Sequence, residues 1–381
     1  MQAFNKRKGM LPMNTLWRKI YRAFALMLSL CLLTTAFGCA TAPTVGPTVP
    51  TKPAAPTGPA ERNEPTNVTV LTLNVAYYDG DFPNNQHLSK LDYTNQSLAD
   101  YTFAERADRL ESLLKYYKPD VFFLNEFNFA WWKEVITDED AILKKLPQYT
   151  FVKSRSTGDS LNGEGEKHTD QYNIVFYDQT RFALMDSGYF VTYIHTSGRV
   201  DHCTWVKLYD KTSGQKALYA TVHLNTVGNA ERAEINLQAA TTAVEALYEL
   251  SGGLPVILGG DFNTTETSRG YRTYEYMVNQ AGFKDSRYAA LQSDDSGTAR
   301  IWGSAWENNG SRIDYIFVNG ANVKKYEVAS GSFLQDDTYV EDVKAEALEP
   351  GKECDYYDIS DHLPVISYIV LKGLQAAAPE K

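Results

Sequence analysis

From about residue 66 onward the chain alternates short, dense apolar runs with longer segments of helical spacing. Residues 68–74 carry Val68, Val70, Leu71 and Leu73 in a strand-like pattern. The runs at 121–124 (Val-Phe-Phe-Leu) and 255–258 (Pro-Val-Ile-Leu) are almost wholly apolar, as expected of strands covered on both faces. Residues 172–177, 204–209, 217–224, 312–318 and 363–371 read as further strands. Over 97–117, Leu98, Tyr101, Ala107, Leu110 and Leu114 fall on one helical stripe, and Lys118-Pro119-Asp120 stops it. A second helix spans about 230–250 and ends at Gly252-Gly253. Strands and helices are interleaved, so an α/β fold is expected. No Gly-rich loop follows the first strand, which argues against dinucleotide-binding and P-loop folds.

The first 65 residues follow other rules. Arg18, Lys19 and Arg22 precede an apolar run at 23–33, too short to span a bilayer, and Ala36-Phe37-Gly38-Cys39 follows. Residues 1–39 thus read as an export signal. Its end is similar to a bacterial lipobox, with Cys39 as the lipidated residue; ordinary signal cleavage is the alternative. Residues 40–65 hold prolines at 43, 47, 50, 53, 56, 59 and 65, a composition that favours an extended tether over a packed element. The expected organisation is therefore a leader, a Pro-rich linker, one folded unit at 66–373 and a disordered tail at 374–381. The folded unit is expected to be a monomer outside the cell, held to the membrane through the N-terminal lipid.

Charge narrows the partners. The chain has 381 residues and a formal net charge of -10. Six basic residues precede Cys39, which leaves 31 basic side chains against 47 acidic ones in the remainder. So acidic a domain is a poor general binder of polyanions, because nucleic-acid affinity rests on Lys and Arg displacing counterions. Cys203 and Cys354 are the cysteines beyond the leader. They can pair as a disulfide or persist as two buried thiols.

Several apolar runs are interrupted by groups able to carry chemistry. Glu126 closes the run beginning at Val121; a hard divalent cation would satisfy a carboxylate buried there. His223 ends Thr221-Val222-His223-Leu224-Asn225 and is suited to proton transfer. Asp261 and Asn263 follow Gly259-Gly260, whose glycines allow tight turning and close backbone approach. Asp314 lies in Ile313-Asp314-Tyr315-Ile316-Phe317, and Asp361-His362 enters the last strand. Taken singly each has an ordinary explanation: a solvated strand-end acid, a packed histidine, an Asx-rich turn. Trp131-Trp132 reads either as a stacking or lipid-facing platform or as packing at a helix start.

In order and spacing these segments resemble the endonuclease/exonuclease/phosphatase superfamily, the DNase I-like fold, in a bacterial lipoprotein form. The matching stretches are Leu-Asn-Val at 73–75, the Glu126 strand, Tyr172-Asn173-Ile174, Thr-Val-His-Leu at 221–224, Gly-Asp-Phe-Asn at 260–263, Ile-Asp-Tyr-Ile-Phe at 313–317 and Ser-Asp-His at 360–362. The resemblance implies a four-layer α/β sandwich, two packed mixed sheets flanked by helices. It implies a metal-dependent phosphoesterase using Mg2+, or Mn2+ or Ca2+, on a nucleic acid, a phospholipid headgroup or a small phosphoester. Glu126 is then the principal metal ligand, with Asn74 and Asp361 nearby. Asp261 and Asn263 serve the attacking water, Asp314 orients His362, and Asp170 falls where an acid would orient His223. Asn173, Asn225 and Trp131 are assigned to substrate. Asn128 stands where many nucleases of the family carry an arginine, which speaks against general DNA cleavage. The alternatives are a nuclease, a sphingomyelinase-like hydrolase, or a binding module that keeps the fold without activity.

Overall fold

A computed structural model describes residues 65–77, 103–155, 171–267, 271–299, 311–329, 332–333, 339–340 and 359–372. Its larger strands in chain order are β1 (Thr66–Asn74), β2 (Val121–Phe127), β3 (Tyr149–Lys153), β4 (Tyr172–Asp178), β5 (Phe182–Ile194), β6 (Val200–Asp210), β7 (Lys216–His223) and β8 (Val256–Asp261). They continue as β9 (Lys284–Asp285), β10 (Ala290–Ser293), β11 (Asp314–Asn319), β12 (Asn322–Val328), the small pair β13 (Ser332–Phe333) and β14 (Tyr339–Val340), and β15 (Val365–Leu371). The seven-stranded sheet runs β10-β12-β15-β1-β2-β4-β3, and the six-stranded sheet runs β5-β6-β7-β8-β11-β9. Both are mixed, because β1–β2 and β7–β8 are parallel while most other neighbours are antiparallel.

Alternation along each strand explains the layers. In β1 and β2, Val68, Val70, Val121 and Phe123 face the opposite sheet, where they meet Val206, Tyr219, Ile257, Ile316 and Val318. The intervening Leu71, Leu73, Phe122 and Leu124 face outward against helix α1 (Phe103–Tyr117), through Ala107, Leu110 and Leu114. On the other side Leu218, Val256, Leu258 and Phe317 pack against helix α3 (Ala230–Ser251). With a helix covering each sheet, both faces of the central strands are buried, which is why they read as apolar runs without alternation. The four layers agree with the expected fold class.

Helix α3 starts at Asn229, whose side chain accepts from Arg232 N, and stops at Gly252 in the left-handed region with φ 58°. Such an N-cap contributes about 1 kcal/mol. Between α1 and α3 a one-turn helix, α2 (Phe129–Trp132), follows β2. The sequence pattern located the central strands but missed β3, β5 and β12. Strand β5 is an edge strand in which the exposed Leu184, Met185, Tyr189, Val191 and Ile194 are mixed with packed residues such as Phe182 and Phe190, so its apolar pattern marks no single buried face.

Candidate active site

Strand direction gathers the chemistry on one edge. The parallel strands β1, β2, β7 and β8 end there, and the antiparallel β11 and β15 begin there. In the six-stranded sheet His223 pairs with Asp261, and Asp261 pairs with Asp314, so the three stand in one cross-strand row. They share the parity of Tyr219, Ile257 and Ile316, which puts them on the face toward the other sheet. In the seven-stranded sheet Asn74 pairs with Asn125, with the parity of Val70 and Phe123, and faces back toward that row. Glu126 would point the other way on a regular pleat. The β2–β4 register slips between Leu124 and Phe127, and Glu126 takes φ 57°, so this bulge swings its carboxylate into the site. Ala76 (φ 50°) and Asn263 (φ 48°) are left-handed too. Each such non-glycine residue costs on the order of 1–3 kcal/mol and persists where surrounding contacts hold it.

The resulting contacts are short. Asn74 Nδ2 donates to Glu126 Oε1 at 3.1 Å and to Asp261 Oδ2 at 3.0 Å. Tyr77 N donates to Glu126 Oε2 at 3.2 Å. His223 Nε2 lies 3.7 Å from Glu126 Oε1 and 3.5 Å from Asp261 Oδ2. His362 Nε2 lies 3.9 Å from Asp261 Oδ2, while its Nδ1 is 2.8 Å from Asp314 Oδ2. Asn263 N donates to Asp261 Oδ1 at 2.8 Å, and its Nδ2 donates to Leu224 O at 2.9 Å, linking the ends of β7 and β8. Ser360 Oγ donates to Asn74 O at 2.6 Å and accepts from His362 N at 3.1 Å, linking β1 to the approach of β15.

The two histidines differ in charge. Burial lowers the pKa of His223, and Asp261 offsets this only in part. Burial also pulls on His362, but Asp314, hydrogen-bonded to Nδ1, together with Asp261 and Asp361 holds its imidazolium well above the usual range. Burial and then Asp314 push Asp261 up to about 6. Burial and then Asp361 raise Glu126, whose side chain is 16% exposed. Four carboxylates thus crowd one imidazolium, and Asp314 Oδ1 is buried with no hydrogen-bond donor among the described residues. A divalent cation fits this excess of buried negative charge. Donor atoms of Asp261, Asp314 and His362 come within 4.8 Å of one another. Two of those groups are already hydrogen-bonded to each other, so Glu126 is the better placed oxygen donor.

The expected site residues fall out as follows. Glu126, His223, Asp261, Asn263, Asp314 and His362 converge, and Asp361 adds its charge to Glu126 and His362. Asn74 joins them: its Oδ1 accepts from Ala76 N at 3.0 Å, and its NH2 lies between the carboxylates of Glu126 and Asp261. Asn173 is buried and committed to protein, accepting from Asn125 Nδ2 at 2.9 Å and donating to His202 O at 2.8 Å. Asn225, two residues after His223, is half-buried, its carbonyl accepting from Asn236 Nδ2 at 2.9 Å. Trp131 is a correction. It is wholly buried, its Nε1 donates to Ala76 O at 3.1 Å and its ring packs edge-on to Phe103, so it is core and not a substrate platform. Asn128 is explained by the same turn: its Oδ1 accepts from Ala130 N and Trp131 N and caps α2. The glycines of 259–260 serve approach, not turning, because both lie inside β8. A Cβ on Gly260 would sit 1.9 Å from Val222 O. Cys203 is buried and has no disulfide partner among the described residues. Asp170, Cys39, Cys354, the leader and linker through residue 64 and the tail lie outside the described residues.

Three supporting residues carry no sequence signal of their own kind. Asn125 Nδ2 donates to Thr221 Oγ1 at 3.1 Å and its Oδ1 accepts from Asp261 N at 3.2 Å, joining the two sheets under the site. Thr298 Oγ1 accepts from Asp314 N at 3.1 Å. Arg106, wholly buried on α1, donates to Ala76 O at 2.9 Å and Ile359 O at 2.7 Å and so braces both loops that lead into the site.

This edge-on cluster between two stacked sheets defines a phosphoesterase-type scaffold, and the comparisons agree. A sequence model of the Endonuclease/Exonuclease/phosphatase family matches residues 71–362. The chain belongs to that family, whose members are phosphoesterases. No curated protein matches the chain. Among solved structures, an endonuclease/exonuclease/phosphatase family protein from Bacteroides thetaiotaomicron is 22% identical, with TM-score 0.59, 81% of this chain covered and 99% of that one. A mannosyl-6-phosphatase from Bacteroides thetaiotaomicron is 21% identical, with TM-score 0.56 and coverages of 79% and 99%. The human nocturnin catalytic domain, solved with a bound sulfate anion, is 17% identical, with TM-score 0.51 and coverages of 80% and 94%. At these identities the likeness establishes the fold.

Proposed function

We propose that the chain is a divalent-metal-dependent phosphoesterase that works outside the cytoplasm, tethered through a lipid on Cys39 and the Pro-rich segment. The observation that carries the catalytic reading is the meeting of Glu126, His223, Asp261 and His362 within 3.5–3.9 Å contacts at one strand edge. Glu126 and Asp361 would hold the cation, which when bound supplies positive charge against the phosphoryl oxygens. Asp261, with its affinity for a proton raised toward neutrality, is suited to take one from the attacking water. Asn263 N holds Asp261 Oδ1 and fixes its direction. Protonated His362, propped by Asp314, donates toward a phosphoryl or leaving oxygen. Neutral His223 offers a second hydrogen bond on the opposite side of Asp261. The acidity of the domain favours small or isolated phosphoesters over long nucleic acids.

The test is hydrolysis of bis-p-nitrophenyl phosphate and p-nitrophenyl phosphate with Mg2+ or Mn2+, with and without EDTA, by the wild type and His223→Ala. Turnover should vanish with EDTA and fall at least about a hundredfold in the variant. Equal rates for the two proteins would sink the catalytic reading, and turnover indifferent to EDTA would sink metal dependence. Calorimetric titration with Mg2+ of the wild type and Glu126→Gln checks the cation independently of rate. Radiolabelled palmitate incorporation into the full chain and Cys39→Ala tests the anchor.

A further inference from the structure

An acidic site that hydrolyses an anionic ester has a problem of approach: a substrate must come close to four carboxylates. The β5–β6 hairpin offers a fixed counter-charge. Strand β6 is antiparallel to β7, with Cys203 opposite Val222, so its first residues lie at the edge where β7 delivers His223. The connecting turn, between paired residues Ile194 and Val200, is closed by His195 N donating to Arg199 O at 2.8 Å. The hairpin base is pinned to the site by the bond from Asn173 Nδ2 to His202 O.

Just after this turn, on β6, Asp201 is buried, at 1% exposure, and has two charged neighbours. His195 Nε2 lies 2.7 Å from Oδ2 and Arg199 Nη2 lies 3.2 Å from Oδ1. His195 already answers the carboxylate at close range, yet Arg199 is held beside it with 43% of its side chain exposed. The ion pair keeps a guanidinium at the turn while much of its side chain stays open to solvent. A guanidinium is suited to gripping phosphate oxygens because its donors form a rigid planar fork. Strand pairing puts this turn at the edge where His223 stands, and the charge of Arg199 is felt there by His223 and by Tyr77.

We infer that Arg199, oriented by Asp201, is a substrate-binding residue that grips an anionic oxygen of the phosphoester and so takes the part that Asn128 cannot. The inference rests on the phosphoesterase reading above. It makes Arg199 a determinant of affinity, selecting substrates with a second anionic oxygen or phosphate within reach of the hairpin.

Arg199→Ala and Arg199→Lys are surface changes that keep the His195–Asp201 contact, so both should melt within a few degrees of wild type. In Arg199→Ala, KM for p-nitrophenyl phosphate and the inhibition constant of inorganic phosphate should each rise about tenfold or more, with kcat changed by less than about threefold. Arg199→Lys should recover part of the loss, since it restores charge without the planar fork. Unchanged KM and phosphate inhibition in Arg199→Ala, measured against an active wild type, overturn the inference and leave the phosphoesterase reading standing. A wild type without turnover sinks the phosphoesterase reading instead. Calorimetric binding of inorganic phosphate then decides Arg199 separately: equal binding in wild type and Arg199→Ala overturns it, and loss in the variant supports it.

Discussion

His362 and His223 flank the same carboxylate, Asp261, yet the protein holds them in opposite states. His362 comes from the approach to β15 and is propped at Nδ1 by a wholly buried Asp314. His223 ends β7, faces Asp261 and Glu126 through Nε2, and loses its charge to burial. One residue type thus yields a standing donor on one side and a neutral ring on the other. The difference lies in whether a dedicated carboxylate is hydrogen-bonded to the ring, because burial alone pushes both the same way. Asp261, raised between them, is left as the group able to exchange a proton near neutrality.

The comparison can be broken at several points. Replacing the shared anionic floor should matter most: Glu126→Gln should abolish Mg2+ binding by calorimetry and lower kcat/KM by about a thousandfold or more. A Glu126→Gln enzyme with near-wild-type kcat would remove the cation from the reaction. Next, Asp314→Asn keeps the shape but withdraws the prop. It should lower activity by about a hundredfold and bring the His362 pKa down, read by NMR of the ring protons, while His223 stays as it was. Should both rings move together, the two-state contrast is wrong. Gly260→Ala attacks the row itself by pushing a methyl into Val222 O at φ 138°. It should cost on the order of 3 kcal/mol or prevent folding, measured by denaturant unfolding.

A smaller effect follows from proton linkage in the metal-free protein. His362 and Asp261 both have folded-state pKa values above their unfolded ones. Their contributions to stability are full below the unfolded values and are lost as pH rises through the folded ones, about 6 for Asp261. His223 has the opposite sign: its contribution is present above its unfolded value and lost as pH falls through its lowered one. In EDTA the melting temperature should therefore decline as pH rises through about 6, where Asp261 loses its proton, and go on declining above that as His362 is deprotonated. His362→Gln should flatten that decline, and an unchanged profile would mean the ring is not held charged.

Membership in the family, the central strands, the two long helices and most of the site were already determined by the chain as a string. Buried strands must be apolar, so a Glu, His or Asp at the end of such a run stands out without any coordinates. What only the folded chain decided were matters of direction and parity. By pleat parity Glu126 points away from the site, and only the bulge with its left-handed φ turns it inward. Trp131 read either as a platform or as packing at a helix start, because a pair of tryptophans after a polar strand end has no periodicity to mark it as core, and the fold chose packing. Asn74, Asn125 and Arg106 owe their roles to partners 52, 96 and 253 positions away. The opposite charges of His223 and His362 belong to the same class: ionisation depends on burial and on a neighbour across a sheet, which linear order does not contain.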